Sequence, residues 1–191
     1  MSTRSTLLVA ALLTVPPVLA QGPPDPAATI DAQRDALKVF ARLDGVWRGP
    51  AWTILPSGEK HTVTQTERIG PFLSGSVKVI EGRGYDPDGR VTFNAFGIIS
   101  YNTRTKSYSM HSYAQGNAGD FAFKPTPDGY VWEIPGGPNA IIRYTATIKD
   151  GTLHEVGDRI VEGKAPVRMF DMVLKRVGDT DWPGAGAISM K

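Results

Sequence analysis

The sequence predicts an all-β protein: an up-and-down antiparallel β-barrel of about 8–10 strands with a short N-terminal helix. Three observations predict it. From Gly45 onward apolar and polar residues alternate in short runs, and turn signals recur at close spacing. Nearly every connection is of hairpin length, so no crossover helices interrupt the series. The strand-like segments are also long for a sandwich, as in Val91 to Tyr101 and Val167 to Val177. A meander of such strands is best served by closing on itself, because closure removes exposed edges.

The elements follow in chain order. Residues 1–20 read as a secretory signal peptide, with Arg4 in the n-region and Leu7 to Leu19 as the h-region. Cleavage is expected after Ala20, which places the product in the periplasm or outside the cell. The apolar run is shorter than the roughly 20 residues a membrane span needs, and Pro16-Pro17 breaks it. Residues 21–29, with the stretch Gln21 to Ala27, form a proline-rich spacer expected to be disordered. The domain is expected over residues 30–178. It opens with a helix whose Ile30, Leu37, Phe40 and Leu43 approximate one face, and Gly45 lies just beyond its end.

The turns then come in series. They are Pro56-Ser57-Gly58, Gly70-Pro71 with Ser74-Gly75, Asp86-Pro87-Asp88-Gly89, Asn102-Thr103, Thr126-Pro127-Asp128-Gly129, Gly136-Gly137-Pro138-Asn139, Asp150-Gly151 and Glu162-Gly163. Asp-Gly suits tight hairpins, where both central residues take positive φ. Residues 179–191, containing Gly184-Ala185-Gly186-Ala187, are expected to form a flexible tail.

Composition narrows the function. The chain has 191 residues, no cysteine and a formal net charge of +2. Thiol chemistry, disulfides and a lipid anchor on an N-terminal cysteine are excluded. Basic residues do not cluster, which argues against a nucleic-acid partner. His61 to Arg68 lacks the regular apolar alternation of a lipid-facing strand, so stable membrane insertion is not expected. Oligomeric state is open.

The short helix followed by Gly45-Val46-Trp47 resembles the opening of lipocalins and other calycins. The resemblance implies that Trp47 packs at the closed end of the barrel. A basic residue of the last strand, Lys175 or Arg176, would then lie over its ring as a cation–π partner. Glu67 to Leu73, Glu81-Gly82-Arg83-Gly84 and Phe96 to Tyr101 resemble a family of bacterial secreted proteins with a lipocalin-like barrel. That likeness implies a fold and no activity. A fainter likeness of Gly45 to Gly49 is to the nitrobindin group, haem-binding calycins in which a late histidine holds the haem. The last strand has no histidine and His154 is the one late candidate, so no cofactor is assigned and haem is in question.

Candidate chemistry rests on polar residues within strands. His154-Glu155 with Asp158 looks like a ligand cluster, but His154 and Glu155 alternate to opposite faces, so no metal site is assigned. No nucleophile elbow or phosphate loop is present. Val63, Gln65, Glu67 and Ile69 share one face, and Val77, Val79, Glu81, Arg83 and Tyr85 share another. If these faces point inward, Glu67, Glu81 and Arg83 lie inside the barrel. They would there form a Glu–Arg network closing one end, or a polar floor that orients a ligand. If the faces point outward, the residues are simply exposed. His111 and Tyr113 share a face and could donate hydrogen bonds. Trp132 precedes the Pro135-Gly136-Gly137-Pro138 loop and is a candidate apolar wall.

The expected function is binding of a small hydrophobic or amphipathic molecule inside the barrel. Glu67, Glu81, Arg83, His111, Tyr113 and Trp132 are the candidate lining. The alternatives are an enzyme using His111 or Glu81 as interior acid–base groups, and a filled barrel acting as a protein-interaction module. Enzymatic activity is the less favoured.

Overall fold

A computed structural model describes residues 25–182. The expected signal peptide and most of the expected tail lie outside them. The chain forms helix α1 (Pro26–Leu37), continued by a 3₁₀ segment (Lys38–Leu43). Ten strands follow: β1 (Gly45–Ile54), β2 (Lys60–Phe72), β3 (Val77–Tyr85), β4 (Val91–Asn102), β5 (Ser107–Ala114), β6 (Asn117–Thr126), β7 (Gly129–Pro135), β8 (Ala140–Lys149), β9 (Thr152–Val161) and β10 (Val167–Gly178). Each strand pairs antiparallel with its sequence neighbours, and β1 pairs with β10 to close the barrel. The all-β up-and-down barrel is therefore present, with ten strands.

Helix α1 starts earlier than the apolar spacing suggests. Asp25 caps it by accepting from the Ala27 N–H, and Pro26 occupies a first-turn position where its missing N–H is no loss. Leu37, Phe40 and Leu43 are buried, while Ile30 remains exposed. The helix seals one end of the barrel. Phe40 packs edge-on against Tyr108 and Phe123, each at 5.2 Å between ring centroids, and Tyr108 Oη donates to the Ala36 carbonyl.

The expected place of Trp47 holds and its expected partner does not. Trp47 is buried at the sealed end, and its Nε1 donates to the Leu43 carbonyl at 2.8 Å. Arg176 is its register partner on β10, but the Arg176 guanidinium donates to the Asp44 carbonyl and pairs with Asp179. Lys175 points outward and donates to Thr152 Oγ1. The guanidinium is held by these acceptors, 3.3 Å from the Asp44 carbonyl and 2.5 Å from Asp179 Oδ1, and makes no cation–π pair with Trp47. Among the described residues, cation–π contacts join Lys60 to Trp52 and Arg68 to Trp182 instead.

The end opposite the helix is ringed by the β1–β2, β3–β4, β5–β6, β7–β8 and β9–β10 hairpins. No described helix is long and apolar enough to cross a membrane.

Candidate functional site

The register fixes which residues face inward. Trp47 is buried, and it pairs with Glu67, which pairs with Gly82, which pairs with Ala95. Gln65, Glu67 and Ile69 of β2 therefore point inside, with Ile80, Gly82 and Gly84 of β3 beside them. Continuing round the barrel, Met110 and Ser112, then Phe121 and Phe123, then Tyr130 and Trp132 face the interior. Tyr144 and Ala146, then Glu155 and Gly157, then Phe170 and Met172 complete the ring.

These residues surround a cavity of about 850 Å³ that runs from the helix-sealed half toward the hairpin end. Its mouth is bordered by Leu55, Pro56, Thr92, Gln115, Asn117 and Pro135. Gln115 ties two hairpins there, accepting from the Asn94 N–H and donating to the Thr92 carbonyl. The volume is in the range of small-molecule sites.

One wall is aromatic. Trp132 and Tyr144 stack at 4.4 Å and 14°, Tyr144 meets Phe170 edge-on at 5.6 Å, and Tyr130 stacks on Phe123 at 4.7 Å. Gly157 makes this wall possible. A Cβ there would lie 2.9 Å from Tyr144 Cε1 and 3.0 Å from Phe170 Cβ, so only glycine leaves space for the ring.

The polar part of the cavity consists of two carboxyls among neutral donors. Trp132 Nε1 donates to Glu155 Oε1 at 2.9 Å, and Tyr130 also hydrogen-bonds Glu155. Gln65 hydrogen-bonds Glu67. Burial pushes the Glu155 carboxyl up to about 7, against the opposing effect of its Trp132 and Tyr130 bonds. Burial pushes Glu67 up to about 8, and the nearby charge of Glu155 adds to the effect. Glu67 is half-buried and borders the cavity inside the barrel. The same surroundings raise Tyr130 well above its ordinary value and push Tyr144 up to about 12, burial being the main cause of each.

The six candidate lining residues divide. Glu67 and Trp132 are in the cavity wall. Glu81 and Arg83 are on the outer face of β3. Arg83 Nη2 contacts Glu81 Oε1 at 2.5 Å and Arg68 Nη2 contacts Glu81 Oε2 at 3.3 Å. This Glu–Arg network borders a surface recess of about 270 Å³ and closes no end of the barrel. His111 and Tyr113 also face outward, with His111 Nδ1 2.7 Å from Asp120 and Tyr113 exposed. Alternation groups each of these faces as the register does, and both point away from the interior. The inner faces of β3 and β5 carry Gly82, Gly84, Ser112 and Ala114, because side chains from β2 and the cavity occupy the space in front of them. A Cβ at Gly82 would lie 3.0 Å from Gln65 Nε2. Interior acid–base chemistry on His111 or Glu81 has no geometric basis.

Sequence reasoning missed Glu155 and Tyr130 as lining residues, and of Arg143 and Tyr144, which alternate to opposite faces, it is Tyr144 that faces inward. The opposition of His154 and Glu155 across the strand was the available signal. His154 faces out to Asp171 and Glu155 faces in. With its Nε2 against Asp171, His154 is not placed to hold a haem inside the barrel, and β10 offers no histidine. The histidine that borders the cavity is His61 at the mouth, 3.3 Å from Thr92 Oγ1. Among the described residues, no three of His, Asp and Glu converge as a metal site would require.

The fold defines the chain as a closed ten-stranded antiparallel β-barrel protein. It is similar to the crystal structure of Rv2717c from M. tuberculosis, with a TM-score of 0.55 and 13% identity, over 74% of this chain and 96% of that one. At that identity the likeness concerns the fold alone. No protein-family model and no curated protein matches the sequence.

Proposed function

We propose that this is an exported, calycin-like binding protein that holds a small hydrophobic or amphipathic molecule inside its barrel. One observation carries the reading: a cavity of about 850 Å³ that opens between hairpins, is walled by aromatic rings and contains a few converging polar groups. An apolar ligand entering it leaves water, at roughly 25 cal/mol per Å² of apolar surface buried. Gln65, Glu67, Tyr130, Trp132 and Glu155 orient its polar end. A filled barrel acting only through its surface does not agree with an interior of this size. Export rests on the expected signal peptide.

The test is titration with Nile red, a neutral apolar dye, followed by its fluorescence. Saturable binding is expected in the wild-type protein. Ala95→Trp and Ala114→Phe, both placed on the cavity wall, are expected to abolish it. Absence of saturable binding, or equal binding by both filled variants, would overturn the proposal.

A further inference from the structure

Among the described residues, the cavity lining holds two carboxyls, Glu67 and Glu155, and no lysine or arginine. Glu67 has Gln65 as its hydrogen-bonding neighbour, and Glu155 has Trp132 and Tyr130. All three donors are neutral. The basic groups turned toward the interior are engaged elsewhere. Lys78 is ion-paired with Asp44 at the sealed end, Arg176 donates to the Asp44 carbonyl, Arg159 donates to the Gly136 carbonyl, and His61 contacts Thr92 at the mouth. Buried acids are ordinarily paired with a base or coordinate a metal. Here the partner is not supplied by the described chain.

A second observation is the aromatic wall beside the acids. The wall beside Glu155 is built from Trp132, Tyr130 and Tyr144. Trp132 stacks on Tyr144 and points its N–H edge at Glu155, so the wall offers an apolar lining for the body of an organic cation whose charge is met by the carboxyls. An anionic ligand would be repelled by either glutamate once ionised. A neutral ligand would leave both acids protonated and draw no attraction from their charge.

Resting on the binding function proposed above, we infer that the ligand is an apolar organic amine, its ammonium group seated between Glu67 and Glu155 beside the Trp132, Tyr130 and Tyr144 rings. The apolar body lies along Phe121 and Phe170 toward the mouth. Binding ionises a carboxyl that is otherwise protonated near neutrality, so the complex forms with release of a proton to solvent. The groups that share this titration are Glu67, Glu155, Tyr130 and Tyr144, and both tyrosines remain neutral throughout the relevant range.

The experiment compares octyltrimethylammonium, octan-1-ol and octanoate by isothermal titration calorimetry with the full-length protein. Octyltrimethylammonium carries its charge at every pH, so any pH dependence belongs to the protein. It is expected to bind at least about tenfold more tightly than the other two near pH 8, and to weaken by up to about tenfold per pH unit as pH falls toward 6. Glu67→Gln and Glu155→Gln keep the side-chain shape and are each expected to remove most of this preference, with near-ultraviolet circular dichroism confirming the native fold. Equal or tighter binding of octan-1-ol or octanoate overturns the amine inference and leaves the binding cavity standing, as does a preference that survives in the double variant. Failure of all three probes to bind removes the cavity function and the amine inference together.

Discussion

Glu67 and Glu155 make the interior sensitive to pH in a direction opposite to most carboxylates. Both carboxyls titrate above their ordinary value of 4.5 in the folded protein, at about 8 and about 7. The folded state therefore binds protons more tightly than the unfolded chain. Their favourable contribution is complete below the unfolded value near 4.5 and is lost as pH rises through 7 to 8. A shift of this size corresponds to a few kcal/mol at most, on the scale of about 1.4 kcal/mol per pH unit. Urea denaturation of the unliganded protein is expected to show stability falling between about pH 5 and about pH 9. Glu67→Gln should flatten that profile and leave the variant more stable than wild type by about 1–3 kcal/mol at the alkaline end. A variant with the wild-type slope would show that Glu67 is solvated and carries its charge without penalty.

At the scale of elements, the sealed end depends on the corner between the 3₁₀ segment and β1. Phe40 is 2% exposed and fits between Tyr108 and Phe123. Phe40→Ala is expected to cost about 3–5 kcal/mol, read as a lower urea midpoint with an unchanged slope. Asp44 holds the same corner differently. It pairs with Lys78, whose side chain is 4% exposed, while its carbonyl receives Arg176. Asp44→Ala leaves the Lys78 ammonium buried without a counter-charge and should cost about 2–4 kcal/mol, whereas Lys78→Met should be much milder because the apolar stem is retained. If Lys78→Met proves as damaging as Asp44→Ala, the pair itself and not the stranded charge is what matters.

Strand positions were legible in the sequence because alternation and Asp-Gly turns report local backbone geometry. The facing of each strand was legible only where the inner side carries large apolar residues, as with Val63 and Ile69 on β2. It was not legible on β3 and β5, where glycine, serine and alanine face the cavity beside a single Ile80 or Met110 and the larger side chains of Glu81, Arg83, His111 and Tyr113 face outward. On these two strands the hollow of the barrel is marked by small residues, which alternation of hydrophobicity does not report. Glu155 was hidden for the related reason that a carboxyl reads as surface unless the register of the neighbouring strands is known.

The molecule as a whole stands or falls on the seam between its first and last strands. Every other strand pair is adjacent in sequence and joined by a short local connection, whereas β1 and β10 are separated in sequence by the remaining eight strands. Their pairing sets Arg48 opposite Lys175 and Ala51 opposite Met172. Gly49 lies between these points, and a Cβ there would come within 2.1 Å of the Val173 carbonyl oxygen and 3.1 Å of Leu174 Cα. Both are main-chain atoms, so no side chain can swing aside and the seam itself must open. Gly49→Ala is therefore expected to destabilise the barrel by about 3 kcal/mol or more, well above the usual effect of a point substitution. The kinetic signature follows from the sequence separation of the two strands. Loop closure over the whole chain is entropically expensive, so the seam should form late, after the folding transition state. Stopped-flow measurements should then show Gly49→Ala accelerating unfolding while leaving the refolding rate nearly unchanged. A refolding arm slowed in proportion to the lost stability would place β1 and β10 together in the nucleus, and barrel closure would then be an early event rather than the last.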